Sequence, residues 1–118
     1  MNRTLPRPFP PILQLLTICL LLLPVSAMQA ADSLELGNQA YMRKDYEAAI
    51  TYYRQAAKER GFSASLLYNL GNSYARAVKT GPAVLAYEQA LRLAPTDPDI
   101  RANLESVRKA NGLYEPNQ

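Results

Sequence analysis

Asp97 and Asp99, and the lone Cys19, are the residues with the clearest claim to reactive chemistry in this chain. Two carboxylates two positions apart suggest acid–base work or a cation site. Pro98 between them points elsewhere. Aspartate followed by proline is the start signal of a helix, with the carboxylate capping free N–H groups and proline filling the first helical position. Cys19 is embedded in an apolar run, and the sequence contains no histidine. Metal centres and Cys/His nucleophilic catalysis therefore lack their donors. Gly71-Asn72-Ser73 and Gly81-Pro82 resemble no phosphate loop. No enzymatic activity, metal or cofactor is expected.

Charge gives no better lead towards nucleic acid. Of thirteen basic residues, Arg3 and Arg7 lie near the N-terminus, and the other eleven are matched by ten acidic ones. Without a cationic run there is no electrostatic footprint for a phosphate backbone. What remains is a set of amides and phenols suited to holding a peptide. Asparagine both donates and accepts, and so can grip a backbone of any sequence. Tyrosine adds apolar contact at low entropic cost. The candidates for a partner-binding groove are Leu34, Asn38, Tyr41, Met42, Tyr68, Asn69, Asn72, Arg76 and Asn103, with Asp99 and Ser106 beside them.

These residues are placed by a repeat. Residues 30–63 and 64–97 share one pattern at a period of 34: Leu36-Gly37-Asn38 answers Leu70-Gly71-Asn72. Ala49, Tyr53 and Ala56 answer Ala83, Tyr87 and Ala90. Each copy reads as two helices. The first spans Asp32 to Arg43, capped by Asp32 or Ser33, and the second spans Tyr46 to Glu59, capped by Asp45 and stopped at Gly61. The third runs from Ser65 to Ala77 or beyond, with its turn pressed towards Gly81-Pro82. The fourth ends near Leu93. Asp97 and Pro98 open a fifth helix that ends near Ala110, with Glu105 and Lys109 as an i,i+4 pair.

Small residues mark close helix contacts, Gly37 and Gly71 being expected to face Ala49 and Ala83. Leu36, Ile50, Tyr53, Leu67, Leu70, Tyr74, Val84, Tyr87 and Leu91 should fill the core, joined by Ile100, Leu104 and Val107 from the fifth helix. That helix, 98–111, is polar outside and reads as a cap; 112–118 reads as a loose tail. The fold class is all-α: two helix–turn–helix repeats plus a C-terminal capping helix, a short α-solenoid spanning 31–111.

A 34-residue period of this kind resembles the tetratricopeptide repeat, whose first helices line a concave surface that binds other proteins. Leu67-Tyr68-Asn69-Leu70-Gly71-Asn72, Tyr87 to Pro95, and Asp97 to Leu104 resemble one bacterial branch. It comprises the exported repeat proteins of Bat-type aerotolerance clusters, which accompany von Willebrand A-domain proteins and a MoxR-type ATPase. The resemblance implies a protein partner in the cell envelope. Such proteins often continue past the stretch resembling Arg108 to Gly112 into membrane-spanning and SH3-like segments, whereas this sequence stops at Gln118. Either the rest is missing or this is a short stand-alone form, and a C-terminal anchor is not supported. Some tetratricopeptide domains clamp a C-terminal carboxylate. Asn38 and Asn69 match two asparagines of that clamp, but Leu34, Asp99 and Asn103 replace its cations, and that activity is not carried over. Self-association through the repeat stack is the structural alternative.

The first 30 residues read as a secretory signal peptide. Arg3 and Arg7 precede the apolar run Ile12 to Leu23, and Val25-Ser26-Ala27 and Met28-Gln29-Ala30 offer cleavage sites. Twelve apolar residues are short for a bilayer, which needs about 20. Export to the periplasm is expected, with an uncleaved inner-membrane anchor as the alternative. The mature chain would lack cysteine and hence disulfides.

Overall fold

A computed structural model describes residue 6 and residues 31–113. The expected signal segment and the tail beyond Leu113 thus lie outside the described residues, Pro6 apart. Five helices fall within the unit Ala31–Gln118: α1 (Ser33–Met42), α2 (Tyr46–Arg60), α3 (Ala64–Arg76), α4 (Thr80–Leu93) and α5 (Pro98–Ala110). Each packs on its neighbours in order, and α3 also touches α5. There is no strand among the described residues. This is the all-α, solenoid-like architecture expected from the period. No described helix is long and apolar enough to cross a membrane.

Helix starts follow side-chain caps. The Asp32 carboxylate accepts from the Leu34 amide at 3.2 Å, and Asp45 accepts from Ala48 at 3.2 Å. Asp97 accepts from the amides of Asp99 and Ile100 at 2.9 and 3.1 Å, with Pro98 at the first helical position. Each satisfies donors that the helix itself leaves free. The third helix begins before Ser65, because Ser63 supplies its cap through Oγ to the Leu66 amide at 3.1 Å.

The turn after α3 corrects the sequence reading. Helix α3 does not run on towards Pro82; it stops at Arg76, and Val78 takes φ 60°. Lys44, 34 residues earlier, takes φ 63°. Asp45 N–H donates to the Ala40 carbonyl at 2.9 Å, and Lys79 N–H to that of Tyr74 at 2.8 Å. Both turns therefore close with the six-to-one bond of a left-handed helix terminus. Packing of each helix pair outweighs the cost of a non-glycine residue at positive φ, which is larger for the β-branched Val78 than for Lys44. Gly81 is consequently not part of the turn but lies in the first turn of α4 with Pro82.

The core forms two clusters. Ala40, Ala49, Ile50, Tyr53, Ala56, Ala57, Leu66, Leu70 and Ala86 make the first. Leu67, Ala83, Tyr87, Ala90, Ile100 and Leu104 make the second. Helix α3 feeds both, Leu66 and Leu70 on one side and Leu67 on the other, because a middle helix is covered on two faces. Leu66 was not foreseen as core. Leu36, Tyr74, Val84, Leu91 and Val107 are only half-buried.

The glycines do not simply face the alanines. A Cβ on Gly37 would lie 2.6 Å from the Tyr53 ring, and one on Gly71 would lie 2.6 Å from that of Tyr87. Absence of a side chain lets each tyrosine ring lie directly against the preceding helix. Among the described residues the ion pairs are Arg60–Asp32, Lys79–Glu47 at 3.2 Å and Arg108–Glu88. Glu105 and Lys109 do not form one. All are exposed at the surface, where such pairs contribute little.

Candidate functional site

Helices α3 and α5 run side by side in the same sense. Tyr68 lies near the start of α3 and Asn72 and Arg76 follow at intervals of four, so all three share one face. They meet Asn103, Ser106 and Val107 of α5, with Tyr41 of α1 at the edge, around a groove of about 400 Å³. A second hollow of about 410 Å³ lies at the N-terminal end of both helices, lined by Ala64, Ser65, Tyr68, Asp97, Asp99 and Ile100. Tyr68 borders both.

A chain of polar contacts runs through the groove floor. The Tyr87 hydroxyl donates to Asn72 Oδ1 at 2.6 Å. Asn103 Nδ2 donates to the same oxygen at 2.9 Å and to the Tyr68 hydroxyl at 3.1 Å. The Tyr68 and Tyr87 rings lie 6.2 Å apart at 56°. Burial pushes the Tyr87 phenol pKa well up, with the Asn103 amide only partly opposing. The first repeat has a shorter version: the Tyr53 hydroxyl donates to Asn38 Oδ1 at 2.8 Å, and burial pushes that phenol up to about 12. No buried side-chain nitrogen or oxygen among the described residues lacks a partner.

Arg76 closes the other end of the groove. Its Nε donates to the Tyr46 hydroxyl at 3.1 Å, and its guanidinium lies 5.4 Å from the centre of the Tyr46 ring. Tyr41 meets Tyr46 edge-on at 5.4 Å. The hydrogen bond to Tyr46 raises the Arg76 pKa further, and burial raises that of Tyr41.

Tyr41, Tyr68, Asn72, Arg76 and Asn103 thus come together as the sequence suggested, with Ser106. Asp99 borders the second hollow. Leu34 instead packs against the first core cluster, Asn38 ties Tyr53, and Met42 is 82% exposed outside both hollows. Asn69 is half-buried on α3 and takes no part in the polar chain. Tyr46 was not anticipated as the residue that holds Arg76. It opens a second helix of the repeat, and only the tight turn at Lys44 brings that first position beside Arg76. Tyr87 and Val107, read as core, line the groove as well. Among the described residues no cluster of three His, Cys, Asp or Glu could hold a metal.

The second helix pair, with its glycine under a tyrosine ring and its concave polar face, is also recognisable by comparison. Residues 64–97 match the tetratricopeptide repeat family. That span is the second copy of the 34-residue period. Tetratricopeptide repeats generally mediate protein–protein interaction. No curated protein matches the chain.

Proposed function

We propose that the chain is a protein–protein interaction module of the bacterial cell envelope, which holds an extended segment of a partner in the α3–α5 groove. The observation that carries this reading is the state of the two groove amides. Asn72 Oδ1 and Asn103 Nδ2 are engaged with each other and with tyrosines. That leaves Asn72 Nδ2 to donate and Asn103 Oδ1 to accept. One donor beside one acceptor suits a peptide unit, which presents a C=O and an N–H whatever its side chains. The rings of Tyr41 and Tyr68 supply apolar contact alongside.

The reading extends to location. The charged start, apolar run and small residues of the first 30 positions support export, so that the working protein is periplasmic and begins near Met28 or Ala31. The resemblance to Bat-type repeat proteins supports an envelope assembly in which the partner is a von Willebrand A-domain type protein.

A pull-down from envelope extract with the full chain tests the groove, run in parallel with Tyr41→Ala/Arg76→Glu. A partner retained by the parent and lost by the variant is the expected result. Equal capture by both would move binding away from the groove. N-terminal sequencing of the periplasmic fraction tests export, and intact Met1 in the membrane pellet would replace cleavage with an anchor.

A further inference from the structure

The two hollows that share Tyr68 in their lining carry opposite charge. Among the described residues, Arg76 is the one charged side chain lining the first, and Asp97 and Asp99 are the charged ones lining the second. Arg76 belongs to none of the three ion pairs of the described residues. It is nevertheless held: Nε is committed to the Tyr46 hydroxyl, and the plane is supported by the Tyr46 ring. Its terminal nitrogens remain to meet an acceptor. At the other end Asp97 is occupied in capping α5, which leaves Asp99, exposed one position into the helix, as the anionic contact.

The charge is specific to this groove and is not a property of the repeat. The position equivalent to Arg76 in the first repeat is Met42, and that equivalent to Tyr68 is Leu34. A cation held in place but without a carboxylate, facing an anionic hollow along the same helix, selects for a ligand of complementary polarity. Ser65 and Arg76 mark the two ends on α3. They are eleven positions apart, about 16 Å at the rise of an α-helix. An extended chain covers that in about five residues.

We infer that the groove selects an extended partner segment bearing an aspartate or glutamate side chain over Arg76 and a lysine or arginine about five residues away, beside Asp99. This deepens the groove reading above and rests on it. Tyr68 borders both hollows, so a segment lying across it meets both, and its carboxylate is then carried on a side chain instead of a terminus.

Selection of displayed random decapeptides on the purified full chain tests the inference. The expected outcome is enrichment of an acidic position and a basic position four to six apart. Selection on Arg76→Glu should turn the acidic position basic and leave the other unchanged; Asp99→Lys should do the reverse. For one selected peptide, Arg76→Glu should weaken binding about tenfold in low salt, and reversing that peptide's acidic residue should restore it. Enriched peptides without this charge pattern, but lost with Tyr41→Ala, would overturn the charge inference and keep the groove. Enrichment confined to peptides ending in a free carboxylate would overturn the through-passing segment. No enrichment on the parent would overturn both the inference and the groove reading.

Discussion

The two repeats share a pattern but not a junction. In the first, Tyr53 ties to Asn38 and the connection stops there. In the second, Tyr87 ties to Asn72, and Asn72 is tied through Asn103 to Tyr68 on the same groove wall. The residue equivalent to Asn103 at the first junction is Asn69, and the residue equivalent to Tyr68 is Leu34. Leucine has no hydroxyl to hold the amide, so the chain of contacts does not form. The same skeleton thus makes a packed junction in one place and a polar, grooved one in the next. What differs is the few side chains that face out of the helix pair, not those that hold it together.

Removing the partner of the second junction should have the largest effect. Ending the chain after Pro95 takes away Ile100 and Leu104, which are both buried. Losing such residues costs about 2–5 kcal/mol each, and arrays below three repeats have little to spare. Circular dichroism should show loss of the cooperative melt. A truncated chain as heat-resistant as the full one would show that the junctions are independent.

The inner packing should respond equally in both repeats. Gly37→Ala and Gly71→Ala each press a methyl into a tyrosine ring at 2.6 Å. Each should cost about 1–3 kcal/mol in urea unfolding. Clearly unequal costs would mean that α5 alters packing beneath the surface.

The asparagines should separate the repeats. Asn72→Ala strands the Tyr87 hydroxyl and takes one of the two acceptors of the Asn103 amide, at about 2–3 kcal/mol, whereas Asn38→Ala strands the Tyr53 hydroxyl alone, at about 1 kcal/mol. Equal values would remove the distinction between junctions. Asn72 is therefore structural as well as part of the groove, and its loss cannot leave folding untouched.

Alkali sharpens the same contrast. Tyr53 ionises near 10 when unfolded and near 12 when folded, because burial disfavours the phenolate, and Tyr87 is raised by the same cause. A raised folded value gives stability that is full below pH 10 and is lost as pH climbs through 12. Melting temperature should be flat from pH 7 to about 9 and fall above 10. Tyr53→Phe should make that fall shallower, and an unchanged slope would put the titration elsewhere.

The smallest effect is expected at the turns. Val78→Gly should stabilise by about 1 kcal/mol, since it relieves a β-branched residue held at φ 60°. A destabilised variant would show that the exposed valine makes contacts of its own.

Much of this was legible in the sequence, for physical reasons. Asp32, Asp45 and Asp97 announce helix starts because capping is local, and the period of 34 fixes which helices pair. Ser63 was missed because Gly61 and Phe62 blur where the helix begins. The Val78 turn was missed because residue preference argues for glycine, while the turn is imposed by packing on either side. Of the groove, Tyr41, Tyr68, Asn72, Arg76 and Asn103 could be gathered from their spacing on the concave faces. Whether the asparagines were solvated or tied to phenols could not. That depends on ring directions, which no spacing in the sequence encodes.

Helix α5 is at once the lid of the second core cluster and one wall of the groove. A segment lying against both α3 and α5 therefore binds only while α5 is docked. By mass action, occupancy must then oppose undocking. Loss of the partner would return α5 to its own fraying equilibrium and expose Leu67, Ala83 and Ala90 to proteases. The lifetime of this chain in its compartment would then follow the abundance of whatever it holds, and unassembled copies would be cleared first.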